Sequence, residues 1–213
     1  MEIEKIWEGI QTKDCDNVLK YDDLCSNVSY LKMYGKANYE QNKETFEKLK
    51  KIMNNEKPAI FSFGCGIGLD SVGAKEIFGN HVVYFPIDEY KWAICETKQY
   101  KDFEPKLPRK FIKYDESIWL LQMTQNVPVI CFFHSLYSIK KEKDVKKDLL
   151  KVLKGKNKFY FVCNFTINNH YGPTLNERDY IDSLIEELSQ TFTIKKFDII
   201  NNRGIIMHGS KCK

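Results

Sequence analysis

The sequence predicts an α/β fold, a mostly parallel sheet with helices on both faces, from three stretches. In the first, Ala59 to Asp70 (AIFSFGCGIGLD), an apolar run reaches glycines at 64, 66 and 68 and passes into a helix-compatible segment, Leu69 to Phe78. Glycine suits a sharp reversal at the carboxyl end of a strand because no Cβ keeps a ligand from the backbone. The helix start that follows presents unpaired N–H groups to the bend. In the second stretch, His81 to Ile87 (HVVYFPI) is another apolar run, closed by Asp88, 22 residues after Gly66. The end of the second strand of a βαβ unit lies beside the first turn, where an acidic residue can take both hydroxyls of a ribose. In the third, Val127 to Phe133 (VPVICFF) is the most continuous apolar run of the chain and suits a central strand buried on both faces.

At 213 residues the chain fits one α/β domain with an added helical segment, divided as residues 1–57 and 58–213. Hydrophobic content of 43% with 14% aromatic supports a sizeable core, and a net charge of +4 is too small to argue for nucleic acid without a focused patch. Seven cysteines without a CxxC pair suit reduced, partly buried thiols in a cytoplasmic protein. With only four histidines, none at ligand spacing from a cysteine, no metal is implied. The amino terminus carries acidic residues and no long apolar core, so it reads as neither signal peptide nor anchor. No window approaches the roughly 20 apolar residues of a membrane span.

In chain order, Ile3, Ile6, Trp7 and Ile10 give the first segment an apolar face, and Phe46, Leu49, Ile52 and Met53 recur at helical spacing before Pro58 ends the pattern. Between them, YLKMYGKANY sets Tyr30, Tyr34 and Tyr39 around Gly35. At the glycine turn itself, a dinucleotide-binding motif wants its third glycine where Leu69 stands. That disfavours a nicotinamide-dependent enzyme; GxGxG fits instead.

FSFGCGIG resembles motif I of the class I S-adenosylmethionine-dependent methyltransferases, whose usual form is an acidic residue, an apolar one, then GxGxG; the acidic position here is Ser62. The resemblance implies a Rossmann-like, seven-stranded sheet closed by an antiparallel hairpin, with residues 1–57 as a helical cap. It implies S-adenosylmethionine as cofactor, with Gly64, Cys65, Gly66 and Gly68 cradling its methionine part and ribose above Ser62. Asp88, with Glu89 beside it, would hold the ribose hydroxyls, and Asp115 the adenine edge. Tyr34 and Tyr39 of the cap would reach the substrate, or else pack the helices with wet hydroxyls.

After Asp88, Tyr90 to Glu96 reads as helix and Phe111 to Tyr114 as a short third strand. Asp115 after it also reads as an N-cap for the helix that follows. The apolar run 127–133 is the fourth strand and ends in His134, Ser135, Leu136 and Tyr137. Ligands of open α/β sheets sit beyond the strand ends where the order reverses. His134, titrating near neutrality, is therefore the best-placed group for chemistry and for a cofactor contact, with Tyr137 a second catalytic candidate. HSLY is not the NPPY-like tetrapeptide that DNA amino-methyltransferases would show, and the carboxylate cluster of a magnesium-dependent catechol-type enzyme is absent.

Lys140 to Lys158 reads as one amphipathic helix with a basic, solvated face, which supports a nucleic-acid partner only weakly. Phe159 to Phe165 is a fifth strand, followed by a polar loop whose His170 and Tyr171 are substrate-contact candidates. Asn176 to Gln190 is helical, and Phe192 to Ile200 with Gly204 to His208 forms the terminal hairpin. The implied function is a methyltransferase for a small molecule or other non-DNA acceptor. The alternative is a catalytically inactive methyltransferase-like module that binds a protein or nucleic acid.

Overall fold

The computed structural model describes residues 3–12, 19–54, 56–79, 82–103, 107–165, 175–199 and 204–212. Among these the sheet has six strands, β1 (Pro58–Phe63), β2 (Val83–Ile87), β3 (Val127–Phe133), β4 (Lys158–Asn164), β5 (Phe192–Asp198) and β6 (Gly204–Lys211), in the order β2-β1-β3-β4-β6-β5. The first four run parallel, and β6 is antiparallel to both β4 and β5. The turn expected between β5 and β6 lies outside the described residues. β3 is central and buried over nearly its whole length, as its unbroken apolar run requires.

The expected third strand, Phe111 to Tyr114, is instead a single parallel bridge from Ile87 to Ile112. Ile112 N–H donates to Pro86 O at 2.8 Å and Asp88 N–H to Ile112 O at 3.1 Å. The preceding rung would need an N–H on residue 86, which proline lacks, so the pairing stops there. Downstream, Tyr114 already opens helix α5 (Tyr114–Met123); helix α4 (Lys98–Asp102) precedes it. The segment from Tyr90 is likewise shorter than expected, a 3₁₀ turn over Ala93–Glu96.

Side-chain alternation along the strands builds two cores. Phe61, Phe63, Ile130 and Phe132 face one side, with α5, α7 (Val145–Leu153) and α8 (Leu175–Leu188). Ile60, Val129 and Cys131 face the other, with Phe46, Leu49 and Met53 of α2 (Lys36–Met53) and Ala74 of α3 (Leu69–Phe78). A third cluster joins Ile3, Ile6, Trp7 and Val28 to Ile67, Val72 and Trp92, so the amino-terminal segment shares its core with the sheet domain. In that segment α1 (Leu24–Tyr30) runs into a π-helical turn, Leu31–Gly35, before α2.

The basic stretch after β3 is two helices rather than one. α6 (Leu136–Glu142) ends before Asp144, whose side chain accepts from Lys147 N–H and starts α7. Cys65, Cys95, Cys131, Cys163 and Cys212 are free thiols, whereas Cys25 is disulfide-bonded. That pairing departs from the expectation of reduced thiols, because bonding depends on proximity in the folded chain and not on spacing. No helix among the described residues is long and apolar enough to cross a membrane.

Gly209 pairs with Phe159 across β4 and β6, and a Cβ on it would stand 2.2 Å from the Phe159 ring. Gly209→Ala is expected to cost about 1–3 kcal/mol by overpacking. Urea denaturation should show a lower midpoint with an unchanged slope.

Candidate functional site

From β1 the chain crosses to β2 on one side and later to β3 on the other, so the strand order reverses beside β1. At the carboxyl ends of these three strands lies a cavity of about 720 Å³, within the range of roughly 300–1,000 Å³ typical of small-molecule sites.

Its floor is the glycine bend. Gly64, Gly66 and Gly68 hold φ of 65°, 59° and 79°, the left-handed region that glycine enters without strain. Gly64 and Cys65 N–H donate to Ile87 O at 2.8 and 3.1 Å. Gly66 N–H donates to Asp88 Oδ2 at 2.8 Å, and Tyr90 N–H to Asp88 Oδ1 at 2.9 Å. The carboxylate that ends β2 therefore ties down the bend that ends β1, and both face the cavity. Burial pushes the Asp88 carboxyl up to about 6, against the two N–H donors that pull it down. The Cys65 thiol, also raised by burial, stays protonated at neutral pH.

Ser62 is fully buried beneath the bend and off the cavity wall; its hydroxyl donates to Asp70 Oδ2, as does Tyr84 OH at 2.7 Å. Asp70, in the first turn of α3, does line the cavity, and burial raises it to about 6. The negative charge missing at position 62 thus stands eight residues later. An acidic residue at a helix start was the available signal for it.

His134 follows β3 with φ 57°, an uncommon angle for a non-glycine residue, held by its N–H donating to Asn164 O at 3.0 Å. Its Nδ1 lies 3.0 Å from Phe165 O. A carbonyl only accepts, so Nδ1 carries the hydrogen and the neutral ring presents a lone pair at Nε2. Among the described residues that Nε2 is buried without a partner, as is Trp92 Nε1. Burial lowers the His134 pKa to about 4, which corrects the expectation of a group titrating near neutrality. Tyr137 also lines the cavity, with Lys141 Nζ donating to its hydroxyl at 2.6 Å and lying 3.9 Å from its ring centroid.

Of the other expected residues, Tyr34 and Glu89 line the cavity. Glu89 is partly committed elsewhere: its Oε1 accepts from Tyr114 N–H at 3.0 Å and caps α5. Gly68 caps α3 away from the wall. Tyr39 does not reach the cavity; its hydroxyl donates to Glu76 Oε2 at 2.7 Å and ties α2 to α3. Asp115 is also misplaced by the expectation. Without a third strand it falls in the first turn of α5, 84% exposed and paired with Lys143 at 3.2 Å, and its neighbour Tyr114 lines the cavity instead. His170 and Tyr171 lie outside the described residues. Tyr30, of the same tyrosine-rich segment as Tyr34, also lines the cavity, and unforeseen members of the wall are Asp70, Tyr21, Tyr90 and Trp92.

A buried neutral histidine makes stability pH-dependent. The unfolded chain takes up the proton near pH 6.5 and the folded chain only near 4, so His134 costs stability progressively as pH falls across that window. His134→Asn removes this loss, and Asn tolerates the positive φ. Thermal melts from pH 7 to 4 should show the variant gaining on the parent as pH falls; a constant difference would refute the assignment.

No protein-family model matches the sequence, and no curated protein matches it. Among solved structures, the chain is similar to the 16S rRNA methylase ArmA with TM-score 0.52 and 15% identity, over 86% of this chain and 90% of that one. It is also similar to an SAH-bound Podospora anserina methyltransferase, PaMTH1, with TM-score 0.49 and 9% identity, over 93% of this chain and all (100%) of that one. At such identities the likeness is one of fold: the chain shares the fold of the 16S rRNA methylase.

Proposed function

We propose that this methyltransferase fold works as an S-adenosylmethionine-dependent methyltransferase on a small molecule or other non-DNA acceptor. The observation that carries the reading is the Asp88 carboxylate, bonded to Gly66 N–H at 2.8 Å on the wall of a cavity above a GxGxG bend. The residues present fit the cofactor. Gly64, Cys65 and Gly66 line the cavity, Asp70 brings a buried carboxylate to the same wall, and His134 Nε2 and Trp92 Nε1 are buried without partners among the described residues.

In this reading Gly64 to Gly66 and Asp70 hold the amino-acid end and Asp88 the ribose hydroxyls, two donors that a carboxylate matches. The bound cofactor supplies an already electrophilic methyl group, so the chain's main task is to align a nucleophile. His134, neutral at pH 7 and on the cavity wall where β3 ends, is the candidate group for positioning that nucleophile. Residues 1–57 act as the cap, with Tyr30 and Tyr34 closing the cavity against water. The four buried or half-buried free thiols suit a cytoplasmic setting, and Cys25 is the residue whose redox state tests it.

Calorimetry with S-adenosylhomocysteine is the direct test: absence of binding at high micromolar ligand would overturn the reading. A second reading, a binding module without turnover, is favoured by one observation, that both Asp88 oxygens already accept backbone N–H groups. Cofactor affinity with no methyl transfer to any extract component, together with a co-purifying protein or nucleic acid, would select it.

A further inference from the structure

Helix α5 carries apolar residues on every side. Tyr114 and Leu121 turn to the core with Ser117, Ile118 and Leu120 are half-buried beside them, and Trp119 and Met123 stand on the opposite side, 58% and 60% exposed. A surface helix ordinarily sets charged residues against water, and one that is apolar all round is covered all round. Here no Asp, Glu, Lys or Arg stands between Glu116 and Lys140, in a chain that is 29% charged. Neighbouring α7 shows the ordinary pattern, with exposed lysines at 147 and 151.

The adjoining sheet edge extends the patch. β2 is an edge strand, Val83 is 39% exposed, and no Asp, Glu, Lys or Arg lies between Glu76 and Asp88. The opposite edge, β5, is blunted by exposed Lys195 and Lys196. Val83 and Phe85 are on the α5 side of the sheet: Val83 pairs with Ala59 and Phe85 stacks on Phe61, both in the core beneath α5. What docks here is not an added strand. Val82 N–H donates to Gly79 O and Ile112 N–H to Pro86 O, which leaves too short a free ladder along β2. The occupant meets the helix, side chain to side chain.

The polar rim of the face says which helix fits. Glu116 is exposed at its amino end, and Gln122, Gln125 and Asn126 are exposed at its carboxyl end. Two copies of α5 laid antiparallel about Trp119 bring Glu116 of each against the amides at the far end of the other, donors that a carboxylate matches. Such an isologous contact sets no like charges together across its centre. We propose that the outer face of α5, centred on Trp119, docks a second copy of this chain, helix on helix about a twofold axis. The ten residues of α5 span only about 15 Å, so the contact is at the small end of specific interfaces and the dimer is a weak one. The inference does not depend on the cofactor reading.

Sedimentation velocity of the full chain is the test. The weight-average mass should rise with concentration toward twice that of the monomer, with an apparent Kd on the order of 10–100 μM. Trp119→Lys sets two like charges at the twofold axis and is expected to weaken association about 10-fold or more. As a surface substitution it should leave the melting temperature nearly unchanged. A second measurement needs no variant. Trp7 and Trp92 are 4% and 6% exposed, so Trp119 dominates acrylamide quenching of tryptophan fluorescence, and that quenching should fall as the chain associates. A chain that stays monomeric to about 1 mM, a Trp119→Lys variant that associates as the wild type does, or a dimer whose Trp119 stays as quenchable as in the monomer would each overturn the proposal. So would a monomer that buries Trp119 only against a different protein.

Discussion

Asp88→Ala is expected to weaken S-adenosylhomocysteine binding by about 100-fold or more. A carboxylate accepting from two ribose hydroxyls makes two charge-assisted hydrogen bonds worth about 1.5–3 kcal/mol each, and about 1.4 kcal/mol is a factor of ten. The substitution also releases Gly66 N–H and Tyr90 N–H, which Asp88 holds at 2.8 and 2.9 Å, so the bend loses its tie to β2. Wild-type affinity should fall as pH drops through about 6, where the raised Asp88 carboxyl protonates and gives up its charge. Calorimetry across pH 8 to 5 checks both effects. Near-wild-type affinity in the variant would mean that the carboxylate serves the loop alone.

Gly64→Ala is expected to be the most damaging small substitution at the site. At φ 65° an alanine pays about 1–2 kcal/mol of backbone strain. Its Cβ would also stand 2.6 Å from Ser135 Cβ and 3.1 Å from Ile139 Cδ1, an overpacking that adds about 1–3 kcal/mol. Together these lower the melting temperature by roughly 4–20 °C at about 2–4 °C per kcal/mol. Gly9→Ala is the comparator. Gly9 has φ 77° with nothing within 4 Å of its missing Cβ, so it bears the strain alone. Equal losses in the two variants would show that the contact between the bend and Ser135 contributes nothing.

The glycine bend, Asp88 and His134 could be placed at strand ends in the sequence because each follows from a local rule. Apolar runs of strand length end in residues that the next turn must accommodate, and a βαβ unit brings the first two strand ends together. Asp115 and Tyr39 went astray for a different reason. The position of Asp115 depended on a strand that Pro86, 29 residues upstream, prevents from forming. The role of Tyr39 depended on which side of α2 meets α3, where its hydroxyl finds Glu76. Asp70 was overlooked because its importance depends on Ser62 and Tyr84 converging on it beneath the bend.

By itself, the order of apolar runs and glycines indicated strands β1 to β4 and the bend after β1, because strand length and a glycine turn are written in short stretches of chain. Only the folded structure decided that Asp70 carries the charge absent from position 62, that His134 is neutral, and that rings from residues 21, 30, 34, 90 and 92 share one wall. Burial and the meeting of distant side chains set those properties, and neither is written in the spacing of residues along the chain.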